Sequence, residues 1–104
     1  MFEGNEGVFS ALKLKNNEHG IITMTGHSME PDIHNGDRCL VYPRNQGFRP
    51  RVGDIVFCKI GGNYYLRKVV SVKGLRVHIG DNRGKTYGNV SVKDIYGTFA
   101  KVIK

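Results

Sequence analysis

The fold is decided around one polar turn, Gly26-His27-Ser28-Met29-Glu30-Pro31-Asp32-Ile33, which Asn35-Gly36-Asp37 follows closely. An apolar run typical of a strand, residues 21–25, leads into it. Glycine, proline and aspartate are turn-forming residues, so the chain is expected to double back here. The pattern predicts a tight turn that presents the Ser28 hydroxyl at the end of a strand, an arrangement that suits a nucleophile.

Short apolar segments separated by turn residues continue outward from Ser28. The chain has 104 residues, with 14 glycines and three prolines, and this composition favours short strands over long helices. Strands are predicted over residues 21–25, 38–42, 54–60, 64–72, 75–79, 90–92 and 97–103, with one amphipathic helix over residues 6–15. The interpretation is a mainly β domain, a small barrel or sandwich with one N-terminal helix. It covers residues 1–104 as a single domain, with the helix and lead-in over 1–19 and the β core over 20–104.

Charge and hydropathy limit the classes of partner. The net charge is +7, but the basic residues are spread along the chain, which favours a solvated basic surface over a nucleic-acid site. No segment approaches the roughly 20 consecutive apolar residues of a membrane helix. No basic segment followed by an apolar run marks an export signal either. We therefore expect a soluble, cytoplasmic protein without an integral membrane segment.

Cysteine and histidine placement indicates no metal or cofactor site. Cys39 and Cys58 each lie in an apolar alternating run, so two buried free thiols are expected. The four histidines are scattered, without the spacing of a zinc site. We predict neither a metal ion nor a cofactor.

Three further motifs follow the Ser28 turn along the chain: Gly53-Asp54-Ile55-Val56, Leu66-Arg67-Lys68-Val69-Val70 and Gly80-Asp81-Asn82-Arg83. The second places cations in an otherwise apolar strand, which is costly unless they are paired or functional. In this order and spacing, residues 20–104 resemble the serine-lysine peptidases of the type I signal peptidase and LexA-type repressor superfamily. The resemblance implies that the chain acts on a peptide or protein substrate.

The resemblance also implies site roles. Ser28 would be the nucleophile, and the backbone amides of Ser28 and Met29 would stabilise the oxyanion. A lysine whose pKa is lowered by desolvation would act as the base. The remaining motif residues, Gly26, Pro31, Asp37 and Asp81, would support the site.

The base itself departs from the family pattern. The family order is Lys-Arg-Val-Val, whereas this chain has Arg67-Lys68 before the valines, and a match without gaps places Arg67 at the base position. Arginine stays protonated and cannot serve as a base. Lys68 would need a bulge or a register shift to take the same position, although strand alternation gives Lys68 the more apolar face. A hairpin turn at Lys73-Gly74 would place Arg67 opposite Asp81 as an ordinary cross-strand ion pair.

Two hypotheses follow from this ambiguity. The first is a soluble serine endopeptidase with a Ser28/Lys68 dyad. The second is a catalytically inactive member of the fold, with Arg67 beside Ser28, that serves as a peptide-binding or assembly module. An exposed sheet edge would permit a homodimer through strand pairing.

Overall fold

The computed structural model describes residues 6–45 and 47–103. Helix α1 covers Glu6–Lys15 and is followed by seven strands. These strands are β1 (Gly20–Thr23), β2 (Arg38–Pro43), β3 (Ile55–Ile60), β4 (Asn63–Lys73), β5 (Arg76–Gly80), β6 (Thr86–Ser91) and β7 (Ile95–Ile103). A short 3₁₀ helix, Val92–Asp94, connects the last two. The predicted mainly β architecture with one N-terminal helix is confirmed.

All seven strands form one antiparallel sheet in the order β1-β2-β7-β3-β4-β5-β6. The sheet curls into a half-barrel. Tight hairpins join β3 to β4 and β4 to β5, at the predicted glycine turns. In the described part of the chain, no helix is long and apolar enough to cross a bilayer.

Strand β6 is longer than the sequence pattern predicted, and β7 starts earlier. The predicted strand over 90–92 is the end of Thr86–Ser91, and the predicted strand over 97–103 begins at Ile95. Three of the six residues of β6 are exposed, and the strand contains Gly88 and Asn89, residue types that are depleted in strands. Pairing with β5, rather than local propensity, therefore determines its extent.

The sheet has an apolar cluster on each face. The first includes the helix residues Ala11 and Leu14 together with Ile22, Met24, Met29, Ile33, Cys39, Val41, Ile55, Phe57 and Leu66. The second consists of Val56, Cys58, Val69, Val77, Ile79, Val90 and Ile95. Because side chains alternate along a strand, neighbouring residues of β4 point toward opposite clusters. This alternation separates Arg67 from Lys68.

Both cysteines are buried free thiols, as predicted, and they lie in different clusters. Burial raises the pKa of Cys58 to about 12 and that of Cys39 to about 11. Both thiols are therefore protonated at neutral pH and are poor nucleophiles.

Candidate functional site

The Ser28 turn is fixed at its base and by two buried side chains. The amide of Met24 donates to the carbonyl of Asp37 and that of Gly36 to the carbonyl of Met24, both at 2.8 Å. Met29 and Ile33 are fully buried in the first cluster, and the amide of Ile33 donates to the carbonyl of Met29 at 2.9 Å. Ser28 stays partly exposed directly before Met29.

The predicted supporting residues of this turn have backbone roles. Gly26 has a φ of 95°, a left-handed conformation that favours glycine, and its amide donates to Asn35 Oδ1 at 2.8 Å. Asp37 Oδ2 accepts from the amide of His34 at 2.8 Å. Pro31 follows a cis peptide bond within the turn. These contacts hold the shape of the turn.

Asn82 clamps the Ser28 turn to the loop that follows β5. Its backbone amide donates to the carbonyl of Ser28 at 3.0 Å. Its side-chain nitrogen Nδ2 donates to the carbonyl of Met29 at 3.1 Å and to Asp32 Oδ2 at 2.7 Å. One residue thus joins two of the four sequence motifs in space. The sequence placed Asn82 within its motif but gave no signal of this contact.

Lys68 reaches the same turn from strand β4. Its Nζ lies 2.9 Å from Asp32 Oδ2, with the Lys68 side chain 31% exposed and that of Asp32 41% exposed. Hydrogen bonds from Asn82 and then from Lys68 lower the pKa of Asp32. The carboxylate is therefore ionised at neutral pH and forms an ion pair with Lys68. Sequence reasoning had not singled out Asp32 as a site residue.

No register shift is needed to bring Lys68 to this side of the sheet. The pairing of β3 with β4 runs without interruption from Ile60 opposite Asn63 to Ile55 opposite Lys68. The irregularity between β4 and β5 falls between Val69 and Ser71, beyond Lys68. Ordinary strand alternation therefore directs Lys68 to the face of the first cluster, the cluster that also contains Met29.

Arg67 is buried on the opposite face, with only 5% of the residue exposed. Its guanidinium carbon lies 5.3 Å from the ring centroid of Tyr65 and 5.1 Å from that of Tyr87, both within cation–π range. Nη1 donates to the carbonyl of Leu66 at 2.9 Å, and Nε has no hydrogen-bond partner among the described residues. A permanently charged side chain in this environment cannot accept a proton.

Asp81 organises the loop that contains Asn82. Its Oδ1 accepts from the amides of Arg83 and Lys85 at 2.9 and 3.0 Å, and its Oδ2 accepts from the Tyr87 hydroxyl at 3.1 Å. Burial raises the pKa of Asp81, but these hydrogen bonds and the charge of Arg67 outweigh it and leave the pKa lowered. Arg67 thus acts on Asp81 through its charge. Tyr87 contacts both residues, because its ring lies against Arg67 and its hydroxyl donates to Asp81.

The candidate oxyanion donors and the nearby histidines complete the geometry of the turn. Within the described residues, the amides of Ser28 and Met29 make no hydrogen bond to another protein group, whereas those of Gly26, Glu30, Ile33 and His34 do. The two amides predicted as oxyanion donors are therefore not occupied by bonds within the turn. His27 and His34 both direct Nδ1 to Glu30 Oε2, at 2.9 and 3.3 Å.

Comparison with known proteins agrees with this arrangement. A family model described as Peptidase S24-like matches residues 3–96. No curated protein matches the chain. Across the residues that the structure describes, no group of three or more His, Cys, Asp or Glu side chains is arranged to hold a metal ion. With nine-tenths of its length matched, the chain belongs to the Peptidase S24-like family, within the LexA and signal-peptidase-like superfamily.

Proposed function

We propose that this chain is a serine peptidase in which Ser28 is the nucleophile and Lys68 the general base. The observation that carries the proposal is the contact between Lys68 Nζ and Asp32, four residues after Ser28. The other cation of the strand motif, Arg67, stacks on two tyrosines in the second cluster. Membership of a peptidase family supports the same chemistry.

The catalytic cycle would use groups of the turn and of β4. Neutral Lys68 takes the proton of the Ser28 hydroxyl, and Oγ attacks the carbonyl carbon of a peptide bond. The amides of Ser28 and Met29 stabilise the negative charge on the carbonyl oxygen. Lys68 then returns the proton to the leaving amine, and water hydrolyses the ester on Ser28.

The ion pair with Asp32 adds a requirement to this cycle. The Asp32 carboxylate lies 2.9 Å from Lys68 Nζ, whereas a base must contact the Ser28 hydroxyl and be neutral when it accepts the proton. Lys68 must therefore leave Asp32 and lose a proton before Ser28 reacts. We expect slow turnover by the free protein and faster turnover when a bound substrate displaces water and the carboxylate.

Acylation of Ser28 by a serine-reactive probe tests the proposal. We expect the wild-type chain to become labelled on Ser28, with labelling abolished by Ser28→Ala and strongly reduced by Lys68→Ala. Lys73→Ala, which removes an exposed lysine from the end of the same strand, is the matched control and should label normally. A folded wild-type protein that stays unlabelled between mildly acidic and alkaline pH would contradict the proposal.

A second function, a catalytically inactive peptide-binding or assembly module, is favoured by one observation. The only hydrogen bond of Lys68 Nζ within the described residues is to Asp32, not to Ser28. In this case peptide binding would survive Ser28→Ala, and the probe would leave wild-type Ser28 unmodified. Assembly would use an edge of the sheet, β1 or β6, and sedimentation would detect the homodimer.

A further inference from the structure

A basic pocket, separate from the Ser28 turn, lies where the end of α1 meets the residue after β2 and the start of β7. It is lined by Leu14, Lys15, Arg44, Lys93 and Tyr96. Its volume is about 150 Å³. None of the motif residues assigned to catalysis lines it, so its chemistry is independent of the peptidase proposal.

Two of the three cations are held in place by contacts with the fold. Arg44 makes two such contacts. Its side-chain Nη1 donates to the carbonyl of Val92, and the backbone amide of Arg44 donates to the carbonyl of Tyr96 at 3.2 Å. The Nζ of Lys15 lies 5.4 Å from the centroid of the Tyr96 ring. Contacts with the fold therefore hold Arg44 and Lys15 in the lining, which the exposed residue Lys93 completes.

Among the described residues, the lining carries three positive charges and no carboxylate. Like charges at close range repel one another, and an anion placed between them removes this cost. Asp94 acts on Tyr96 from outside this lining. Burial, with smaller effects of Tyr64 and Asp94, raises the pKa of Tyr96, so its hydroxyl stays protonated at neutral pH; the hydroxyl also forms a side-chain hydrogen bond with Tyr64.

The size of the pocket limits the ligand to a small anionic group. Pockets that enclose whole drug-sized molecules measure about 300–1,000 Å³, whereas this one equals the liquid volume of about five water molecules. A guanidinium beside two ammonium groups suits an anion with several acceptor oxygens and more than one charge. We propose that this pocket binds a phosphate group.

Titration of isotope-labelled protein with inorganic phosphate, followed by NMR, tests the proposal. We expect saturable shifts in the amide signals of the lining residues, relative to sodium chloride at the same ionic strength. Lys93→Gln and Lys15→Gln should each weaken phosphate binding about tenfold, the effect of losing one hydrogen bond to a charged group. Lys101→Gln, five residues beyond Tyr96 on β7, removes an exposed charge from the same strand and should leave the affinity unchanged.

A second titration distinguishes free phosphate from the backbone of a nucleic acid. If a short single-stranded oligonucleotide shifts the same signals at lower concentration and with steep salt dependence, the phosphate belongs to a polynucleotide. If only inorganic phosphate acts, the ligand is a free phosphate. The proposal would be overturned if sodium chloride alone shifted the amide signals equally. It would also be overturned if the folded Lys93→Gln and Lys15→Gln variants bound phosphate with unchanged affinity.

Discussion

Asp32 is the residue through which the Ser28 turn contacts strand β4. Its Oδ2 accepts hydrogen bonds from both Lys68 and Asn82, so one oxygen links three segments that are distant in sequence. The carboxylate of Asp32 therefore helps to hold the Ser28 turn, strand β4 and the loop after β5 together, in addition to the bonds from Asn82 to the carbonyls of Ser28 and Met29. It also holds the proposed base in an ion pair.

Replacing Asp32 by asparagine should increase the rate at which Ser28 is acylated at neutral pH. Asparagine can still contact Lys68 and Asn82, but it carries no negative charge that holds the lysine away from Ser28. Because exposed ion pairs contribute about 0.2–1 kcal/mol, we expect an increase of about two- to fivefold. Acylation rates across a pH series measure the effect.

The control for this change is Asp37→Asn, which neutralises another carboxylate of the turn that bonds the His34 amide rather than Lys68. It should leave the acylation rate unchanged. A lower rate in Asp32→Asn would instead show that the carboxylate is needed to position Lys68.

Arg67 should contribute to stability rather than to catalysis. Arg67→Ala removes a buried side chain that packs against the rings of Tyr65 and Tyr87, and we expect a loss of about 2–4 kcal/mol. Arg67→Met keeps most of the volume and removes the unpaired buried Nε, so it should destabilise the protein less. Urea unfolding compares both with Arg76→Ala, an exposed site where the change should stay within about 0.5 kcal/mol. Equal losses in the alanine and methionine variants would contradict this interpretation.

At the scale of elements, β7 is the strand that the rest of the sheet depends on, because it pairs with β2 on one side and β3 on the other. Gly97 lies opposite Pro43 and Phe57 in these two pairings. A Cβ at this position would clash with the carbonyl oxygen of Tyr42 and lie 2.9 Å from Val41 Cγ1. The close approach of β2 and β7 therefore requires a residue without a side chain.

Gly97→Ala should lower the free energy of unfolding by about 1–3 kcal/mol, since the clash involves backbone that cannot move without disturbing the pairing. Gly20→Ala is a matched control in β1, where an added Cβ would meet only Leu14 at 3.7 Å. That variant should change stability by less than about 1 kcal/mol. Thermal or urea unfolding separates the two, and similar losses would show that the β2–β7 contact adapts.

At the scale of the whole molecule, two carboxylates link stability to pH. The pKa of Asp32 and that of Asp81 are both lowered from the ordinary value of an aspartate, and both residues hold the loop and turn around Ser28. A carboxylate with a depressed pKa in the folded state stabilises that state above its unfolded pKa. Its contribution is lost as the pH falls through the folded value.

We therefore expect the urea midpoint to be constant near neutral pH and to fall below about pH 4, where unfolded aspartates begin to bind protons. The double variant Asp32→Asn/Asp81→Asn should start from a lower midpoint and show a smaller fall on acidification. An acid response as large as that of the wild type would assign the effect to other carboxylates.

Local patterns account for the elements and their order. The spacing of apolar residues and glycine turns predicted helix 6–15, the β3–β4 hairpin and the order of the four motifs, because period and turn chemistry are properties of neighbouring residues. Local patterns did not predict the full extent of β6, because its exposed residues show no apolar alternation. Its pairing with β5 determines that extent instead. The assignment of residues 1–104 to a single domain stays a prediction.

The sequence by itself determined the family, the mainly β architecture and the turn that presents Ser28. Only the tertiary structure decided which cation reaches that turn, because Arg67 and Lys68 are neighbours whose side chains diverge to opposite faces of one sheet. Asp32, the partner of Lys68, and Tyr87, one of the two rings against Arg67, come from distant segments of the chain. Contacts of this kind depend on packing across the fold, and no local spacing encodes them.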